Sequence, residues 1–439
     1  MANPPASGYL DLLRSNRAFR HLWYGQVISE LGDWLNSIAI YLLVIELGGG
    51  GMALALTMTA KLLPIFFVSP IAGVLIDRLD RRSILVASDL LRFLVVLGFL
   101  QVDEPGEMGL LYSLVVVEIA LAGFFEPARS AIIPDITPRQ DLVTANALSG
   151  STWSVMVAFG AALGGVVVSL FGIRAAFLID ALTFLMSAWF ISRIPPSRPA
   201  ARSPATPSFS FLKDLADAGG YLKTHPGVLV LALLKSGLAL AGGVMTLIPL
   251  YARQMYDLPQ VVSLAVGLMY SCRGIGAALG PPLVKRLFGD TSQVLRLAIA
   301  AAFFFGAAAY FLFARSRGLP LASLAIGAAT FFGSIIWVFS SALIHLEAEN
   351  RYLGRIFSLE MALLTLVMGL SNLAVGWMID HWGWAPHQAA AWIALVFLLP
   401  GIGWAGYLLA LHRRFRRGES VKSVCPVNPS DARVPPTSL

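Results

Sequence analysis

The chain has 439 residues, of which 57% are hydrophobic and only 13% charged. A soluble domain carries about 25% charged residues, and half that share leaves too little polar surface to hold a chain of this length in water. The composition therefore excludes a soluble enzyme, and two cysteines, Cys272 and Cys425, exclude a disulfide framework or a cysteine-built zinc site.

Uncharged stretches define the alternative. No Asp, Glu, Lys or Arg occurs from Leu142 to Ile173, from Gly318 to Leu346, or from His381 to His412. Each exceeds the roughly 20 residues a helix needs to cross the hydrocarbon core. Barrel strands would alternate polar and apolar residues over about 10 positions, and these runs are apolar on every side. In chain order the apolar runs and their turn residues predict spans at about 20–45, 52–76, 84–101, 109–127, 144–171 and 174–193. A second set follows at about 228–252, 260–284, 294–314, 319–345, 355–379 and 387–411. The first run follows Arg14, Arg17 and Arg20 and lacks an A-x-A cleavage site, so it is expected to be a retained span.

The basic residues orient these spans. With the amino-terminal tail (1–19) inside, 23 of the 32 lysines and arginines fall on the inner side, four (Arg174, Arg253, Arg315, Arg317) on the outer, and five within spans. Positive-inside asymmetry of this size places both tails in the cytoplasm and makes the number of spans even. The net charge of +7 is thus explained by topology, with no nucleic acid required.

Residues 194–227 interrupt the pattern. Five prolines from Pro195 to Pro207 predict an extended linker, and the segment from Phe209 to Tyr221 predicts a short amphipathic helix on the inner surface. The linker divides the chain into bundles over 20–193 and 228–411, with a disordered tail at 412–439. The halves repeat: Ala72–Leu79 aligns with Gly280–Leu287, and Gly165 and Gly172 match Gly376 and Gly383. Parallel repeats around a midplane site characterise alternating-access transporters.

Residues 73–82 read Gly-Val-Leu-Ile-Asp-Arg-Leu-Asp-Arg-Arg. This stretch resembles motif A of the major facilitator superfamily, with Asp80 in place of the second glycine. The resemblance implies an all-α integral membrane fold of twelve helices in two six-helix bundles. It also implies a cytoplasmic gate made by Gly73, Asp77, Arg78, Arg81 and Arg82, with Asp77 near Gly354 and Arg355 at the start of the eleventh span. Gly160, Gly164 and Gly165 resemble motif C of the antiporters, with alanine where proline is usual; small residues at that spacing equally serve close helix packing. The arginine of motif B is missing from the fourth span. The stretches Phe125–Ile136, Leu142–Leu148 and Tyr352–Leu359, with Gly32-Asp33, resemble the branch of macrolide efflux proteins and the enterobactin exporter. Glu126, Asp89 and Arg92 are assigned to gate support, the last two as a possible i, i+3 pair.

Ionisable groups deep in a bilayer are costly and so are functional candidates. Glu30 and Asp33 share a face of the first span, Lys61 reaches a depth near Asp33, Glu118 lies deep in the fourth span, and Arg273 lies mid-way along the eighth. Glu30, Asp33 and Glu118 are candidate proton carriers; Lys61 and Arg273 either tune them or hold an anionic substrate. The competing reading is structural ion pairing, which is preferred for Asp180. Trp34, Phe66, Trp153 and Trp337 either line a lipophilic pocket or serve packing.

The expected activity is secondary export of amphipathic or lipophilic small molecules against a proton gradient, in the bacterial inner membrane, by a monomer with no cofactor or metal. A siderophore or lysophospholipid carrier is the narrower alternative. No P-loop is present, nor H-E-x-x-H or G-x-S-x-G, which argues against ATP as driver and against an intramembrane enzyme. The two-fold repeat argues against a channel.

Overall fold

The computed structural model describes residues 8–196 and 219–416. The linker prolines beyond Pro196, most of the amphipathic helix expected over 209–221, and the tail from 417 onward with Cys425 lie outside the described residues. Among those described, twelve helical segments are long and apolar enough to cross a membrane.

A short helix α1 (Tyr9–Ser15) precedes α2 (Arg17–Glu46), the first span. The second span is α3 (Gly51–Ala60) followed by α4 (Leu63–Arg78); then come α5 (Arg81–Gly98), α6 (Met108–Ile136), α7 (Leu142–Phe171) and α8 (Ile173–Ile191). The second half comprises α9 (Pro226–Ala239) and α10 (Val244–Met255) as one broken span, α11 (Pro259–Phe288), α12 (Ser292–Arg315), α13 (Leu319–Glu347), α14 (Asn350–Trp382) and α15 (Pro386–Arg416).

Three features depart from expectation. The tail expected at 1–19 contains α1, which forms because Leu12 is fully buried against the first half. The second span breaks at Lys61–Leu62, since Pro64 in the first turn of α4 has no N–H to continue the ladder. The seventh breaks at 240–243, where Ser371 substitutes for the lost helix bonds: its hydroxyl donates to the Leu240 carbonyl (2.6 Å) and accepts from the Gly243 N–H (3.0 Å).

The repeat read from the sequence has a backbone cause. Gly172 ends α7 at φ 83° and Gly383 ends α14 at φ 65°; a side chain is disfavoured there, so glycine stops both helices at equivalent places. Glycine also sets helix spacing. A Cβ on Gly276 would lie 2.0 Å from the Gly327 carbonyl oxygen, so α11 and α13 touch backbone to backbone. Gly276→Ala is expected to cost about 1–3 kcal/mol, read as a lower Tm in detergent. Gly109→Ala, where nothing lies within 4 Å, is the control; equal Tm values for the two variants would refute the packing account.

The halves meet through α7 against α11 and α3 against α14. These contacts lie on the side opposite the chain ends. A Cβ on Gly165 would fall 2.7 Å from the Ser263 carbonyl, and one on Gly376 2.8 Å from Met52 Cα. On the side of the chain ends the first half has its own apolar core, built from Leu12, Phe19, Ala72, Ile84 and Ile132 among others, separate from the core that joins the halves. There a Cβ on Gly73, Gly150 or Gly354 would meet nothing within 4 Å. Among the described residues the two bundles are therefore closed at one end and parted at the other.

Candidate functional site: a buried charge cluster beside the cleft

The first half places four carboxylates around one guanidinium. Asp33 (α2) forms an ion pair with Arg92 (α5), whose side chain is 4% exposed. Arg92 is also within electrostatic reach of Asp89, Glu118 (α6) and Asp180 (α8), and its guanidinium lies 4.0 Å from the ring centroid of Phe184. Gly32 makes this assembly possible: a Cβ there would lie 2.3 Å from Asp180 Oδ1 and 2.0 Å from Thr183 Oγ1. Any larger residue would push α8, and with it Asp180, away from Asp33.

The second cation arrives from the helix break. Lys61 Nζ donates to Ser37 Oγ (2.7 Å) and sits 5.4 Å from the Tyr41 ring centroid, near enough to Asp33 and Glu118 to act on both charges. Asn36 Nδ2 donates to Glu118 Oε1 (2.7 Å), and Gln26 Nε2 donates to Glu30 Oε1 (2.8 Å) and to the Ser149 carbonyl (3.0 Å). Both Asp89 oxygens, Glu118 Oε2, Asp180 Oδ2 and Glu30 Oε2 are buried without a hydrogen-bond partner among the described residues. Asp33 differs from the rest: deep in the fold, its side chain is still 35% accessible, so it borders the cleft while its companions lie behind it.

The structure revises several pairings. Lys61 reaches the level of Asp33 but hydrogen-bonds Ser37. Asp89 and Arg92 share a helix, yet the partner that Arg92 binds is Asp33, across two helices. Arg92 thus sits in the central cluster rather than beside the gate, and Asp180, expected to be structural, sits in it too. Glu30 lies one turn from Asp33, held by Gln26. Depth gave Arg92 away in principle, since it was among the five basic residues left within spans. Partners on three other helices, Asp33, Glu118 and Asp180, are invisible to sequence spacing.

The second half holds a pair that sequence spacing does not single out. Lys235 (α9) donates to Glu360 Oε2 (2.7 Å) and to Ser341 Oγ (2.7 Å), beneath Trp337 and Phe357 at 4.8 and 5.5 Å. Both charges are buried, at 4% and 0%. Arg273 on α11 makes no ion pair or hydrogen bond with any described residue.

At the parted end, the motif A residues tie the first half to itself. Asp80 caps α5 by accepting from the Ser83 N–H (2.9 Å). Arg81 pairs with Asp135 (2.7 Å) and donates to the Ala131 carbonyl, and Arg82 donates to the Ser192 carbonyl (2.6 Å). Glu126 pairs with Arg129 (2.6 Å). Arg78 is exposed and Arg355 half-buried; the side chain of Asp77 lies outside what is described. Gly160 and Gly164 pack on Trp34 and Ile38 of α2, whereas Gly165 crosses to α11.

At the closed end a carboxylate joins the halves. Asp380 (α14) accepts from the N–H groups of Gly51 and Met52 (both 2.8 Å), the unpaired first turn of α3. Bonds to a charged group are worth about 1.5–3 kcal/mol. Asp380→Ala is accordingly expected to raise the labelling rate of a cysteine placed at Met52 by roughly ten- to a hundredfold, with a membrane-impermeant maleimide added to the closed side. An unchanged rate would show that Asp380 does not hold that end shut.

The family model of the Major Facilitator Superfamily matches residues 22–359. BacE of Bacillus amyloliquefaciens, named for bacilysin export, is 27% identical over 364 residues, 81% of this chain and 87% of its own. Macrolide efflux protein A of Streptococcus pyogenes is 24% identical, covering 83% and 90%. The transporter YfiS of Bacillus subtilis is 31% identical over 185 residues, but the match spans only 44% of that protein. Among solved structures, a bacterial homologue of the human lysosomal transporter Spinster, inward-facing and unoccupied, superposes with TM-score 0.68 over 91% of this chain and 98% of its own at 14% identity. The nucleoside transporter NupG gives 0.65 over 90% and 99% at 15% identity.

Proposed function

The chain belongs to the Major Facilitator Superfamily, and from that premise we propose that it is a proton-coupled exporter of amphipathic or lipophilic small molecules. The observation that carries this reading is the imbalance around Arg92: four carboxylates (Asp33, Asp89, Glu118, Asp180) against two cations (Arg92, Lys61). Uncompensated charge is expensive in such surroundings, so the cluster can exchange a proton and keep an ion pair. Asp33 is the entry point, because it borders the cleft. A proton on Asp33 weakens its hold on Arg92, which then has Asp89, Glu118 and Asp180 as alternative partners. That is a two-state element of the kind alternating access needs.

The direction of transport is supported by the relatives named for export and efflux. The parted end carries the basic loops, so it is the cytoplasmic face by the positive-inside rule. In this reading the described conformation is inward-open, and both chain ends belong to the cytoplasm of a bacterial inner membrane. On that face a Cβ on Gly73 or Gly354 would meet nothing within 4 Å. A monomer suffices, since each chain holds both bundles. A siderophore or a lysophospholipid as dedicated cargo fits the same cleft chemistry.

The test is uptake into proteoliposomes of a panel of macrolides, dyes, siderophores and lysolipids, with and without an imposed pH gradient. Accumulation of at least one compound that collapses with the gradient is expected. Equal rates with and without the gradient would reject proton coupling.

A further inference from the structure

Arg273 is a cation without a counter-ion among the described residues, in a place where one is expected. It lies at the centre of α11, 14 residues from Pro259 and 15 from Phe288, hence ~21 Å from either end. At 100° per residue it falls roughly 160° from Ile275, which with Leu268 and Leu279 forms the exposed apolar stripe of the helix. It also falls about 60° from Tyr270 on one side and about 60° from Gly276 on the other. Tyr270 packs on Trp34 and Tyr41 of the first half, and Gly276 packs on α13. The guanidinium therefore points away from lipid, into the interior between the two halves, and it is half-buried there rather than sealed.

The carboxylates carried by the spans of the second half are engaged elsewhere. Glu360 is held by Lys235, Glu347 by Arg296, and Asp380 by the first turn of α3. In the first half Asp33, Asp89, Glu118 and Asp180 gather around Arg92, and Glu30 is held by Gln26. The electrostatic influence of Arg273 instead reaches two tyrosines, Tyr270 and Tyr310. An arginine at this depth with no acid or hydrogen-bond partner among the described residues keeps its five donors available to a ligand.

We infer that Arg273 is the anchor for an anionic group on the transported molecule, with the half-buried Trp34, which packs on Tyr270, supplying an aromatic surface for its apolar body. The inference rests on the transport reading and narrows its substrate class to compounds with a carboxylate, phosphate or sulfonate attached to an apolar or aromatic frame. The planar fork of arginine matches such oxyanions in a two-point contact that lysine does not reproduce. The same chemistry is offered by an anionic lipid headgroup entering from the bilayer.

Binding in detergent separates this inference from turnover. Dansylglycine and dansylglycinamide share one aromatic body and differ in a carboxylate; tryptophan-to-dansyl energy transfer reports either in the purified full chain. Dansylglycine is expected to bind roughly ten- to a hundredfold more tightly than the amide. Arg273→Gln should bring the ratio towards one, and Arg273→Lys should keep part of it, each variant being checked for folding by its Tm. Displacement of the probe by phosphatidylglycerol but not by octanoate would assign the anion site to a lipid headgroup, and the reverse to soluble cargo. Equal affinity of the two probes for the wild type, binding of neither, or a ratio untouched by Arg273→Gln in a folded variant would each overturn the inference. A protein that shows the ratio yet moves nothing in proteoliposomes keeps the anion site and loses the transport reading; gradient-driven transport with no such ratio does the opposite.

Discussion

Asparagine at position 33 is expected to reduce pH-gradient-driven accumulation to the rate of protein-free vesicles, while the variant still folds and inserts. The carboxylate of Asp33 is the member of the cluster that both borders the cleft and binds Arg92. The amide cannot take up and release a proton, so it fixes the switch in its neutral setting. Folding survives because Arg92 keeps Asp89, Glu118 and Asp180 as neighbours. Downhill exchange of substrate, which needs no net proton movement, should persist in the variant. Arg92→Met is predicted to behave differently: it leaves the buried carboxylates with Lys61 as the single nearby cation, and removing one partner of a buried pair costs about 3–5 kcal/mol. That variant should be poorly expressed and low in Tm. Normal gradient-driven transport by Asp33→Asn would remove this residue from the coupling path.

The second large effect is expected at Lys235 and Glu360. The pair is buried at 4% and 0% exposure, and Glu360 Oε1 has no hydrogen-bond partner among the described residues. Either Lys235→Met or Glu360→Gln alone strands a charge in an apolar site, at a cost of about 3–5 kcal/mol. Replacing both together should recover most of that loss, since an apolar pair of similar volume is often as stable as a buried ion pair. Thermal unfolding of the two single variants and the double variant measures the coupling directly. Additive losses in the double variant would mean that the two side chains do not depend on each other.

Lys235 and Glu360 also illustrate where the sequence stops being informative. They are 125 positions apart, and nothing in local spacing links them; what was visible was that each sat in a span, where charge is costly. The spans themselves were legible because hydrophobic length is a one-dimensional property. The halves were legible too, because Gly172 and Gly383 must recur where both helices stop. The helix breaks at Lys61 and at 240–243 were harder: both lie within apolar runs, and the compensating partner, Ser371, comes from another span. Asp180 reads from the sequence as a structural ion-pairing residue, and only the close approach allowed by Gly32 reveals that it faces Arg92. Motif residues fared differently again. Asp80, Arg81 and Arg82 have local partners that explain them within one half, whereas the closed end is joined by Asp380, which belongs to no motif recognised in the sequence.

In the proposed mechanism substrate and protons move in opposite directions through one switch around Arg92. Its most direct measurement is the internal pH of proteoliposomes loaded with a pH-sensitive dye while substrate flows down its own gradient, with no pH gradient imposed. The account predicts a substrate-dependent proton flux opposite in direction to the substrate, present in the wild type and absent in Asp33→Asn. Substrate movement in the wild type with no accompanying pH change would contradict it.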